Sequence, residues 1–220
     1  MRSPLPPPRS SVGSPLFSLA LLLTACVAPP PSLSWDAPAA PAAPAAPYRE
    51  ALSAWTRSGE RFENMEGRLF VSATLLSPTF ERARAAELAA RLDLTASELR
   101  REEELLTRRA QEQRLFFVAL ATQEHSHNDL RPRGSVFSAH LLVGGEALPA
   151  TWITESTTQE QQALRFTFPF LSPLHQGYWV SFPITPDAEQ LSLRVSGLPG
   201  AVTLSWDLRG AAPKSQGGAR

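Results

Sequence analysis

The chain has 220 residues, 43% of them apolar, and its 21 basic residues are balanced by 21 acidic ones. That length gives room for one domain of ordinary size with appendages, and that apolar share is enough for a real core. A neutral chain without a basic stripe lacks the electrostatic footprint of a nucleic-acid binder, so no nucleic-acid partner is expected.

Arg2 and Arg9 come first, followed by an apolar run from Leu16 to Ala25 that is broken only by Ser18 and Thr24. A bilayer-spanning helix needs roughly 20 such residues. The run is instead the length of a signal-peptide core, which assigns residues 1–25 to a signal peptide. Cys26, directly after it, is the only cysteine, so an internal disulfide is excluded and modification of the thiol is the leading alternative. Leu23-Thr24-Ala25-Cys26 resembles the bacterial lipobox. That resemblance implies cleavage before Cys26, diacylglycerol on its thiol and acylation of its new amino group, typically with palmitate. Two or three acyl chains anchor a protein stably. The same resemblance implies that Val27, where an aspartate would favour inner-membrane retention, directs the protein to the outer membrane, with the domain in the periplasm or at the cell surface. The competing reading is an ordinary secretory signal with an incidental cysteine.

Residues 26–47 read as the lipidated cysteine and a spacer. "VAPPPSLSWDAPAAPAAPAAP" is dominated by Pro and Ala, and proline fixes φ and removes a backbone donor, which suits a semi-rigid polyproline-like arm. Trp35 stands alone in it. From Tyr48 to 208 the pattern becomes that of a folded domain. "YREALSAWTR" puts Tyr48, Ala51, Leu52 and Trp55 on one helical face. "GRLFVSATLL" alternates, with Leu69, Val71, Ala73 and Leu75 on one side, and is the first predicted strand.

A helical hairpin is expected over 78–113. Ser77 is a predicted N-cap followed by Pro78 at the first helical position, and Thr95 and Glu98 have capping-box spacing for a second helix. Eight acids and eight arginines between Glu81 and Arg114 read as a solvated face, with a partner-binding coiled coil as the sharper alternative. Phe80, Leu88, Leu92, Leu99, Leu106 and Ala110 form the apolar side.

"LFFVALAT" follows, apolar on both faces, as a strand covered on both sides would be. The opposite sheet is one expected cover and the hairpin the other, with this strand antiparallel to the first. Further strands are expected at "SVFSAHLLV", "LPATWITE", "LRFTFPFL", "GYWVSFPI", "QLSLRVSG" and "AVTLSWDL", with edges or bulges at Pro149, Pro169 and Pro183. The predicted fold is therefore mostly β: an antiparallel β-sandwich of about eight strands with an α-helical hairpin inserted between the first two. Residues 209–220 read as a disordered tail.

Chemistry is sparse. "EHSHND" is the one dense polar cluster; if extended, it would aim His125, His127 and Asp129 one way, as zinc or non-haem iron ligands could be aimed. His140 and His175 are possible additions. Ser, Asn and Asp are equally turn formers, so a solvated strand-to-loop exit is the plainer reading. No nucleophile elbow, zincin motif, phosphate loop or dinucleotide fingerprint is present, so no cofactor and no catalysis are expected. Trp179 and Trp152 point away from the predicted core. Outward tryptophans bind glycans or partner proteins, or pack under a neighbouring element. The whole resembles uncharacterised bacterial lipoproteins with a lipobox, an Ala/Pro spacer and a small mostly-β domain, a resemblance that implies location and architecture but no activity. Two functional classes follow. One is a membrane-anchored envelope binding or scaffolding module with an envelope protein or glycan partner. The alternative is an envelope enzyme or metal-binding protein using His125, His127 and Asp129.

Overall fold

The computed structural model describes residues 48–63, 66–131, 134–185 and 188–208. The expected signal peptide, Cys26, the spacer with Trp35 and the tail lie outside them. No helix among the described residues is long and apolar enough to cross a membrane.

The described chain is mostly β, with nine strands in two antiparallel sheets and four α-helices. Helix α1 (Tyr48–Trp55) leads into β1 (Thr56–Glu63) and β2 (Glu66–Leu75). Helices α2 (Pro78–Leu92) and α3 (Ala96–Glu112) precede β3 (Arg114–Ala121). Strands β4 (Phe137–Val143), β5 (Glu146–Pro149) and β6 (Trp152–Glu155) lead to α4 (Thr158–Thr167), and β7 (Gln176–Phe182), β8 (Gln190–Gly197) and β9 (Gly200–Asp207) close the domain. One sheet has the order β1-β2-β3-β7-β6 and the other β5-β4-β8-β9.

The sheets share one core, as the layers of a sandwich do. The inward faces carry Leu69, Val71, Phe116, Val118, Val180 and Phe182 from the first sheet and Leu141, Leu193, Leu204 and Trp206 from the second, all buried. Phe116 meets Phe182 and Trp206 edge-on, with ring centroids 5.7 and 5.3 Å away. The Trp206 indole N–H donates to the Trp55 carbonyl at 2.8 Å, so the largest buried ring keeps its polar atom satisfied and ties α1 to the core. The outward face of the second sheet carries Ser138, Ser192, Ser196 and Ser205, several paired across strands.

Four expectations change. A strand, β1, precedes the predicted first strand, so the two helices follow the second strand. Residues 56 and 57, expected to continue α1, belong to β1. "LPATWITE" is two strands in different sheets, β5 paired with β4 and β6 with β7, with the chain crossing between sheets at Ala150 and Thr151. "LRFTFPFL" is the end of α4 and a turn: Thr157 and Glu160 form a full capping box, and Phe166, placed on an inward face by the alternation, is 66% exposed.

β1 lies against β9 as well as β2. A Cβ on Gly59 would sit 2.7 Å from Val202 Cγ1 and 3.0 Å from Leu204 Cδ2. The missing side chain lets the edge strand lie close against Val202 and Leu204, which would have to shift to admit one. Gly59→Ala should therefore destabilise by about 1–3 kcal/mol, as overpacking does; denaturant unfolding midpoints unchanged from wild type would contradict this.

Candidate functional site

The outward face of the first sheet is covered in two ways. β3 is buried along its whole length. Phe117 stacks on Phe168, the residue after α4, with centroids 4.1 Å apart and planes 18° apart. Phe168 in turn stacks on Phe80 of α2, and Phe80 meets Tyr48. The expected cover by the helical pair is thus shared with the turn that follows α4. Of the six apolar positions expected to face inward, Phe80, Leu106 and Ala110 are buried, Leu88 and Leu99 are half-buried, and Leu92 is 65% exposed. Ser77 caps α2 through the Phe80 N–H, and Thr95 with Glu98 forms the capping box of α3, both as predicted.

Between the two helices and the strands β3, β7 and β6 a cavity of about 420 Å³ remains. Its sheet side is Leu115, Trp179, Trp152 and Thr154. The α2 side is Leu76, Glu81 and Arg84, and the α3 side is Glu102, Leu106 and Arg109. Both tryptophans picked from the sequence open onto it. Trp179, cross-strand from Phe117, packs against that ring at 4.9 Å and carries the Arg84 guanidinium 5.9 Å from its centroid. Trp152 donates its indole N–H to Gln113 Oε1 at 3.3 Å, and the Ser181 hydroxyl donates to the same oxygen. Gln113 is the C-cap of α3, so the edge strand β6 is fastened to the helix end.

Glu81 was assigned to the solvated face and is instead 2% exposed. Arg84 donates to both of its oxygens, Nε at 2.6 Å and Nη2 at 3.1 Å. Burial pushes the Glu81 carboxyl upward from its ordinary value, and Arg84 opposes that shift. A signal for the buried face did exist: Glu81, Ala85 and Ala89 recur every fourth residue, and small side chains let helices approach closely. All three are buried, as is Ala110 of α3.

The histidine cluster has a different geometry from the extended one considered above. His125–His127 is a single 3₁₀ turn. Asn128 is its knot: Oδ1 accepts from the Thr122 N–H and hydroxyl, and Nδ2 donates to the Leu174 carbonyl. The Tyr178 hydroxyl donates to the Asn128 carbonyl, and burial raises the Tyr178 pKa. Asp129 is committed to Arg131, which donates to its two oxygens at 2.8 and 2.6 Å and holds the carboxyl below its usual range. His127 lies 3.5 Å from Glu124. His175 Nδ1 is 2.7 Å from the Ser172 hydroxyl, and its pKa is lowered by burial, while His140 sits on β4. Among the described residues no three His, Cys, Asp or Glu side chains converge as metal ligands.

No protein-family model matches the chain, and no curated protein is significantly similar to it.

Proposed function

We propose that this chain is a membrane-anchored lipoprotein of the cell envelope whose β-domain is a non-catalytic binding or scaffolding module. The observation that carries the binding half is the cavity between α2, α3 and the outward sheet face. It gathers Trp152 and Trp179 with apolar and charged walls, the composition ligand pockets have, and its volume falls in their range. On this reading α2 and α3 are a helical hairpin inserted into a sandwich, and their role is to wall the site. The anchor half rests on Leu23-Thr24-Ala25-Cys26 at the end of an apolar run. The outer-membrane placement rests on Val27, and the partner is an envelope protein or glycan.

Two experiments test the halves separately. Cys26→Ala should leave an unprocessed or soluble chain in place of the membrane-bound one; unchanged membrane fractionation and processing would sink the anchor. Thr154 lines the cavity and is exposed, so Thr154→Arg fills the space at little cost in stability. Material captured from envelope extract by the wild-type chain should be lost with this variant, and equal capture by both would place the binding surface elsewhere.

A further inference from the structure

The cavity's charges do not all serve the fold. Both oxygens of Glu81 are taken by Arg84. Glu102 and Arg109 line the same cavity, and among the described residues neither forms a hydrogen bond or a close ion pair, although Arg109 is near enough to Glu81 to pull its pKa down and Glu102 near enough to push it up. They lie seven residues apart on α3, two turns along one face, with Leu106 between them at the i+4 position of the first and i−3 of the second. At 1.5 Å per residue their Cα atoms are about 10 Å apart along the helix. One wall thus presents a carboxylate, an apolar centre and a guanidinium in line, neither charge held by a direct hydrogen bond, on the cavity shared with Trp152 and Trp179.

A ligand that complements this wall carries a cation at one end, an anion at the other and an apolar group between. An extended chain of three amino acids spans about 10 Å. A glycan fits less well. Sugar stacking needs a free indole face, and the Trp179 ring already has Arg84 over it and Phe117 packed against it.

We propose that the cavity binds a short peptide of about three residues with free termini. Its ammonium pairs with Glu102, its carboxylate with Arg109, and its middle side chain lies against Leu106 and the tryptophans. This rests on the cavity being the binding site, and it names the ligand class. The geometry also sets the direction of the bound peptide, amino end toward the start of α3.

Calorimetric titration of the detergent-solubilised full chain with Ala-Leu-Ala, its N-acetyl form and its C-amide form tests this. The free tripeptide should bind saturably. Acetylation or Glu102→Gln should each weaken it roughly tenfold or more, and so should amidation or Arg109→Gln, as loss of a hydrogen-bonded charge does. Within each pair the two losses should not add, because they remove one interaction. No saturable heat from Ala-Leu-Ala, equal binding of the blocked forms, or additive losses would overturn the proposal. Chitotriose is titrated alongside. Saturable binding of the sugar with the tripeptide silent overturns the peptide assignment and leaves the cavity reading standing, whereas that reading fails if Thr154→Arg leaves envelope capture intact.

Discussion

Replacing Phe168 with alanine should lower the free energy of unfolding by about 3–5 kcal/mol, the usual range for losing a buried phenylalanine. The residue is fully buried, and its ring is the hub of an aromatic group. It stacks on Phe117 at 4.1 Å and on Phe80 at 6.3 Å, and meets Phe170 at 5.8 Å and Trp179 at 6.1 Å. These contacts join four separate parts of the chain: strand β3, strand β7, helix α2 and the turn after α4. Truncation removes their shared partner at once, and the surrounding rings are too large to collapse into the space. Phe166→Ala is the control. It lies two residues away and is mostly exposed, so it should stay within about 0.5 kcal/mol. Equal losses at the two positions in denaturant unfolding would mean that Phe168 is not the hub.

The same pair of residues shows where sequence reasoning fails. Phe166, Phe168 and Phe170 alternate as residues of a strand do, and that period hides the helix which the Thr157–Glu160 capping box starts. Only the tertiary setting separates the two, since Phe168 is buried by rings from β3 and α2. β1 was missed for the opposite reason. It is an edge strand that meets Val202 and Leu204 of the second sheet at Gly59, and "TRSGERFE" carries no apolar period. Where a strand's inward face carries large apolar side chains, the pattern is readable. β8 and β9 put Leu191, Leu193 and Val195 with Val202, Leu204 and Trp206 on one face as alternation predicts, and β3 reads as doubly buried because it is.

The candidate site was half legible. Trp152 and Trp179 stood out because bulky rings on the outward side of a strand need a cover. Glu81 and Arg84 did not, since an i,i+3 ion pair on a helix is usually solvated and only the packing of α2 on α3 buries this one. Glu102 and Arg109 are indistinguishable in sequence from the other charges of α3. What separates them is that the cavity lies on their side of the helix.

Arg84→Met should cost about 3–5 kcal/mol at pH 7, the usual penalty for stranding one partner of a buried ion pair, and clearly less at pH 5. Methionine keeps an unbranched apolar stem beside Trp179, so the loss is chiefly that of the charge. Glu81 then stays buried without its two charge-assisted hydrogen bonds. Burial already raises its folded pKa above the ordinary 4.5, and Arg84 is the largest influence lowering it. Removing Arg84 therefore raises the folded value further. Between 4.5 and the raised value the folded state holds a proton that the unfolded state has released. The unfolded state thus binds fewer protons, and stability falls as pH rises through that window and returns as pH drops below it. The penalty of Arg84→Met, taken against wild type at each pH, should shrink as Glu81 takes up its proton. Adding Glu81→Gln supplies a neutral group of the same shape. The double variant should be more stable than Arg84→Met alone at pH 7, and its difference from wild type should depend far less on pH. A penalty that stays constant from pH 7 to pH 5, with no recovery in the double variant, would show that Arg84 acts through packing alone and that Glu81 does not need it as a counter-charge.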